Sequence, residues 1–141
     1  MNVLVDTSIW SLLLRHKLTA DNALQIQKLK KIITELIHSQ SIRLIGNIRQ
    51  ELLSGIVHQA QFLKLEQALS AFEDEIVNYQ DYISAAQFFN QCRVQGVQGS
   101  QVDFLICAVA VNHNLRILTT DKDFLHYQKI LPLDLWIPDL S

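Results

Sequence analysis

The sequence predicts an α/β sandwich around a mostly parallel sheet. Three observations support this: an all-apolar Val3-Leu4-Val5 at the start of the chain, further short apolar segments downstream, and stretches of helical periodicity between them. A continuous apolar run of a few residues is what a strand buried on both faces requires, and parallel sheets bury both faces.

The first strand is expected at 3–5, followed by helical spacing over 9–14. A long amphipathic helix follows between about Thr19 and His38. It turns Leu24, Ile26, Leu29, Ile32, Ile33, Leu36 and Ile37 toward the core and Lys28, Lys30 and Lys31 mostly outward. A second strand is expected at 42–45. Asn47 then caps a helix over 48–54, with Gln50 completing a capping-box spacing. Another helix is expected over 58–72, a weaker strand at 75–79 and a helix at 82–93. The two glycines within 95–99 mark a loop. Ser100 caps the helix that carries 102–111, and a strand at 116–118, a short helix at 122–128 and a strand at 133–137 complete the chain.

The 141 residues are the length of one domain with one hydrophobic core, so 1–141 is expected to form a single domain. With 49% hydrophobic and 18% charged residues, four Gly and two Pro, the composition is that of an ordered protein. A net charge of −2 gives no global attraction to nucleic acid, so any such substrate needs a local basic patch or a bound metal. Cys92 and Cys107 lie in apolar helical stretches and read as buried, reduced thiols. No leader-like segment precedes the first strand, and no apolar run approaches the ~18 residues of a membrane span. A cytoplasmic protein without membrane association is therefore expected.

The chemistry lies in four acids. In open parallel sheets the functional crevice lies beyond the carboxyl ends of the strands. Asp6 directly follows the first strand, and Asp121 sits three residues after Leu118; Glu51 and Asp103 fall in the first turns of helices. Carboxylates and waters are the ligands that Mg²⁺ and Mn²⁺ prefer. Such ions activate water and orient a phosphodiester, and two of them ~3.5–4 Å apart share the attacking and leaving oxygens. No zinc-type His/Cys spacing, phosphate-binding glycine loop or Ser-His-Asp set competes.

Each acid also has a structural reading. Asp6 is a favoured cap residue, although Thr7 and Ser8 cap equally well. Asp103 stands in capping-box register with Ser100, yet its helical neighbours Ile106, Cys107 and Ala110 put it on the packed side, an awkward place for a merely solvated carboxylate. Glu51 taken alone reads as a surface acid. Thr120 and Asp123 have capping-box spacing, which gives Asp123 a supporting role and leaves Asp121 as the ligand candidate. Arg49 and Arg93 are candidates for phosphate contact, against a solvated role for both. His113 and His126 need no catalytic role, and Tyr79, Tyr82, Phe88 and Phe89 read as core aromatics. Phe62, Leu65 and Leu69 form one face, which suits either core packing or a partner surface.

Four segments together resemble the PIN-domain ribonucleases, most closely the VapC-like toxins of toxin–antitoxin modules. They are Val3-Leu4-Val5-Asp6-Thr7-Ser8, Arg49-Gln50-Glu51-Leu52-Leu53-Ser54-Gly55, the helix from Val102-Asp103-Phe104 to Ala110, and Ile117-Leu118-Thr119-Thr120-Asp121-Lys122-Asp123-Phe124. Their order and spacing cover nearly the whole chain, although the long second helix widens the gap from Asp6 to Glu51. The resemblance implies a three-layer α/β/α sandwich, a homodimer and a Mg²⁺- or Mn²⁺-dependent endoribonuclease acting on RNA. It carries Asp6, Glu51, Asp103 and Asp121 over as the acidic quartet, with Thr7 or Ser8 supporting the metal shell. A cognate antitoxin that inserts a peptide into the groove is the implied partner. Two other classes stay open on sequence alone: a PIN-like scaffold that binds RNA or protein without cutting, and a DNA nuclease or phosphoesterase using the same carboxylates.

Overall fold

The computed structural model describes residues 1–14 and 18–141. Among these, five strands form one sheet: β1 (Val3–Val5), β2 (Ile42–Leu44), β3 (Glu73–Asp74), β4 (Arg116–Leu118) and β5 (Leu135–Trp136). The order is β3-β2-β1-β4-β5, and every neighbouring pair is parallel. Helices α1 (Thr7–Leu14) and α2 (Ala23–His38) join β1 to β2, and α3 (Gly46–Leu53) and α4 (Gln59–Leu69) join β2 to β3. Helices α5 (Tyr79–Val94) and α6 (Gln101–Asn112) join β3 to β4, and α7 (Asp123–Gln128) leads to β5. The result is the expected three-layer α/β/α sandwich.

The sheet centre is built as its apolar runs dictate. Val3, Leu4 and Val5 are buried and pair with β2 on one side and β4 on the other, Val5 lying opposite Leu118. Because β1 is central, the chain winds outward from it toward β3, then returns to β4 on its other flank. The crevice where the winding reverses opens beyond the carboxyl ends of β1 and β4.

Helices α2, α5 and α6 stop in the same way. Each closes with a backbone bond from the residue after a left-handed one back to the last turn: Ser41 to Leu36, Val97 to Cys92 and Leu115 to Ala110. The left-handed positions are Gln40, Gly96 and Asn114, so glycine fills only one of them. No helix among the described residues is long and apolar enough to cross a membrane.

Several local expectations are corrected. Helix α1 starts at Thr7, earlier than 9. The third strand is Glu73–Asp74, not 75–79; it is an exposed edge strand whose place is set by β2, through Arg43 opposite Glu73 and the Glu75 N–H on the Leu44 carbonyl. Asn78 instead caps α5 in a complete capping box with Asp81, so that helix begins at Tyr79. Asn47 does not cap α3: buried Ile45 occupies the cap position with no side-chain bond, because packing outweighs cap preference there. On α2 only Ile26, Leu29 and Ile33 are buried, while Leu24 and Ile37 reach solvent. Phe88 and Phe89 pack on the core, but Tyr79 and Tyr82 are exposed. Cys92 and Cys107 are free, buried thiols as expected.

Candidate active site

A cleft of about 690 Å³ opens at the crevice, and Asp6, Glu51, Asp103 and Asp121 all line it. They arrive from four places: the end of β1, the last turn of α3 (not a first turn, because α3 starts at Gly46), the first turn of α6 and the segment after β4. Among the described residues lining this cleft none is Lys, Arg or His.

Asp6 is buried, and three donors converge on its Oδ2: the Ser8 hydroxyl at 2.8 Å, the Thr119 hydroxyl at 2.8 Å and the Ser8 N–H at 3.4 Å. With both hydroxyl protons given to Asp6, the 3.1 Å approach of Ser8 Oγ to Thr119 Oγ1 has no proton to share. Those oxygens instead accept from backbone, Ser8 Oγ from Thr120 N–H at 3.0 Å and Thr119 Oγ1 from Asp121 N–H at 3.0 Å. Two hydroxyls thus hold the end of β1 to the end of β4.

Thr119, fully buried, is the threonine that supports Asp6, while Thr120, expected as a helix cap, gives its N–H to Ser8. The β1–β4 register, with Val5 opposite Leu118, puts Thr119 across from Asp6, so strand pairing is the signal that identifies it. Thr7 donates to Glu51 Oε2 at 3.2 Å, linking α1 to the exposed carboxylate of α3.

The capping box of Thr120 and Asp123 does not form. Asp121 Oδ1 accepts the Asp123 N–H at 2.9 Å, so Asp121 starts α7 while lining the cleft, and Asp123 is exposed. The Asp103 N–H is satisfied by the Ser100 hydroxyl at 3.0 Å, as the helix start required. The Asp103 carboxylate accepts from the Tyr127 hydroxyl at 2.7 Å.

Asp103 shows what the cleft lacks. Burial raises its carboxyl above the usual range; the Tyr127 bond opposes this, but the charges of Asp121 and Asp6 push it further up. Tyr127, buried and beside these acids, is raised well above ordinary phenols and stays a donor. The Cys107 thiol is likewise pushed far up, first by burial and then by Asp103.

Among the described residues no three His, Cys, Asp or Glu side chains are gathered tightly enough to enclose an ion. In kind, the donors fit a hard divalent cation: carboxylates with hydroxyl support, no thiolate and no imidazole.

The two arginines lie elsewhere. Arg49 is committed to α4 and β3, donating to the Leu69 carbonyl at 2.9 Å and the Phe72 carbonyl at 3.3 Å and pairing with Asp74 at 2.7 Å. Arg93 stacks over the Phe89 ring, 5.9 Å from its centroid. Neither lines the acid cleft.

A family model described as PIN domain matches residues 3–130. The chain belongs to the PIN domain family. Solved structures agree on the fold across the whole length of this PIN domain chain. VapBC2 from Rickettsia felis, bound to a promoter DNA fragment, superposes with a TM-score of 0.76 at 17% identity, covering 99% of this chain and 100% of that one. FitAcB from Neisseria gonorrhoeae gives 0.75 at 18%, with 96% and 97% covered. VapBC-5 from Mycobacterium tuberculosis, of the VapBC family of toxin-antitoxin systems, gives 0.65 at 18%, with 96% and 98% covered. No curated protein matches the PIN domain chain in sequence.

Proposed function

We propose that this PIN domain chain is a Mg²⁺- or Mn²⁺-dependent endoribonuclease and the toxin of a type II toxin–antitoxin module, folded as a single domain over 1–141 and working in the cytoplasm as a homodimer. The observation that carries the reading is the cleft: four carboxylates from four elements, with no Lys, Arg or His among the described residues that line it. Four carboxylates repel an RNA phosphate, and a bound metal would reverse that charge.

Asp6, Asp103 and Asp121 would hold the metal, which when bound supplies charge neutralisation at the phosphodiester and acidifies the attacking water. Asp6 keeps its Oδ1 for this task because all three of its donors fall on Oδ2. Ser8 and Thr119 fix its direction, and Asp121 follows because its own N–H is tied to Thr119. Glu51, exposed and held among the described residues by the long Thr7 bond, is the acid best placed to take the proton from the attacking water or to complete the ligand set.

The fold neighbours from toxin–antitoxin complexes support the partner reading. A groove of about 480 Å³ lined by Leu14, Ile56, Leu65 and Ala68 between α1 and α4 offers apolar surface to an antitoxin peptide. Exposed Tyr79, Tyr82 and Ile83 on α5 offer another to a second copy.

The deciding test is incubation of total cellular RNA, and of matched single-stranded RNA and DNA, with inhibitor-free protein in Mg²⁺ or Mn²⁺. Discrete RNA fragments should appear, vanish in EDTA, and fall by about a thousandfold or more in rate for Asp6→Asn/Asp103→Asn, since several kcal/mol of transition-state stabilisation is lost. Cleavage of DNA alone would replace the substrate, and no cleavage by metal-loaded protein would leave a binding scaffold.

A further inference from the structure

Tyr127 is fully buried on α7, in an aromatic column with Phe104 (centroids 4.9 Å apart) and Phe124 (5.2 Å), and its ring is fixed by packing on both sides. Its hydroxyl emerges at one place, on Asp103 Oδ2. The approach is possible because residue 99 is glycine: a Cβ there would overlap the Tyr127 hydroxyl oxygen, Cζ and Cε1. Gly99 has no left-handed backbone, so its lack of a side chain matters through space alone. It immediately precedes Ser100, whose hydroxyl caps the same helix turn. Ser100 and Tyr127 therefore both bond to Asp103, and Gly99 leaves the room that the second needs.

We propose that Tyr127 is a positioning residue for the metal centre: its hydroxyl ties Asp103 Oδ2 and thereby turns the other carboxylate oxygen to the cation, with Gly99 as the gap that admits it. The inference rests on the metal-centre reading above. A carboxylate beside Asp6 and Asp121 is pushed by both charges toward any rotamer that increases separation. A fixed donor on its far oxygen is what keeps it facing them. Groups that orient a ligand in this way commonly contribute tenfold or more to metal affinity. The competing structural reading is that Asp103 merely satisfies a buried phenol, and it makes a different prediction for metal.

The test is a calorimetric Mn²⁺ titration of the purified full chain, free of inhibitor, with thermal melts in EDTA alongside. The proposal expects Tyr127→Phe, which keeps the ring and loses the hydroxyl, to weaken Mn²⁺ binding by about tenfold while its metal-free melt stays within a few degrees. Gly99→Ala should weaken Mn²⁺ in the same direction by displacing the hydroxyl. Mn²⁺ affinity of Tyr127→Phe within twofold of wild type would overturn the proposal and leave the hydroxyl a packing feature. Unchanged affinity in Gly99→Ala alone would overturn the role given to the gap. If the wild-type chain itself fails to bind Mn²⁺, the metal-centre reading falls and takes this inference with it.

Discussion

Two groups of carboxylates in this molecule meet opposite fates. Away from the cleft, Asp81 is completely buried yet lies below the usual carboxyl range: burial would raise it, but bonds from Asn78, Asn112 and His113 and the charge of His113 overturn that. Its oxygens are answered by the Asn112 amide at 3.0 Å and the His113 ring at 2.8 Å, and the other His113 nitrogen meets Glu75 at 2.7 Å. Arg43 closes the group on Glu75 at 3.5 Å and Glu73 at 3.6 Å. In the cleft, Asp103 moves the other way: burial raises it first, the charges of Asp121 and Asp6 add to that, and the bonds that oppose it come from the neutral hydroxyls of Tyr127 and Ser100. Both groups obey the same rule about desolvated charge. The first finds its cations within the chain, whereas the second, among the described residues, has only neutral donors, and that difference is what the proposed metal site rests on.

The largest expected effect breaks the paired group. Replacing His113 with Gln leaves Asp81 buried without its cation, so unfolding free energy should drop by about 3 kcal/mol in urea at pH 6. Partial burial would lower the His113 ring, but its bonds to Glu75 and Asp81 outweigh this and raise it above its ordinary 6.5. A group whose folded value is raised gives stability that is complete below the unfolded value and lost as pH rises through the folded one. Wild type should therefore lose stability as pH climbs from 6.5 through the raised folded value, with His113→Gln nearly flat there. A wild-type curve level from pH 6 to 8.5 would show that His113 is neutral between its two acids.

The second effect sharpens the unpaired group. Mn²⁺ at a hundredfold excess over its Kd should stabilise the wild-type fold by about 2.7 kcal/mol, a rise of several degrees in Tm for a chain of this length. The rise should disappear in the Asp103→Asn variant. An equal rise in both proteins would place the bound metal somewhere other than the acid cleft.

How much of this was legible beforehand depended on whether local chemistry or chain pairing decided the outcome. Strand β1 announces itself because a strand buried on both faces must be apolar, β2 and β4 each show two buried aliphatic residues beside an arginine, and Asp6 and Asp121 follow from where β1 and β4 end. Edge strand β3 has no such signature: Glu73 and Asp74 are exposed, and only the register against Arg43 and Leu44 makes them a strand. The same limit hid Thr119. Between two adjacent threonines, only knowing that Val5 lies opposite Leu118 shows which hydroxyl meets Asp6. Tyr127 was hidden for a different reason, since an aromatic residue in an apolar helix looks like filling until its hydroxyl is seen on Asp103. Arg49, beside Glu51 in sequence, is drawn away by the carbonyls of Leu69 and Phe72, a competition that spacing cannot display.

The smallest expected effect separates the acids within the cleft. In EDTA at pH 7, Asp103→Asn should raise stability by about 0.5–1 kcal/mol, because it removes a charge that burial and two like neighbours disfavour. The amide oxygen can still accept from Tyr127, so that bond survives the change. Asp6→Asn should be nearly neutral, within about 0.5 kcal/mol, because its amide oxygen can accept from Ser8 and Thr119 while the NH₂ turns to the cleft. Urea denaturation of the three proteins checks both statements. A loss of several kcal/mol for Asp6→Asn would mean that its charge holds β1 to β4, and would move Asp6 from the unpaired group to the structural one.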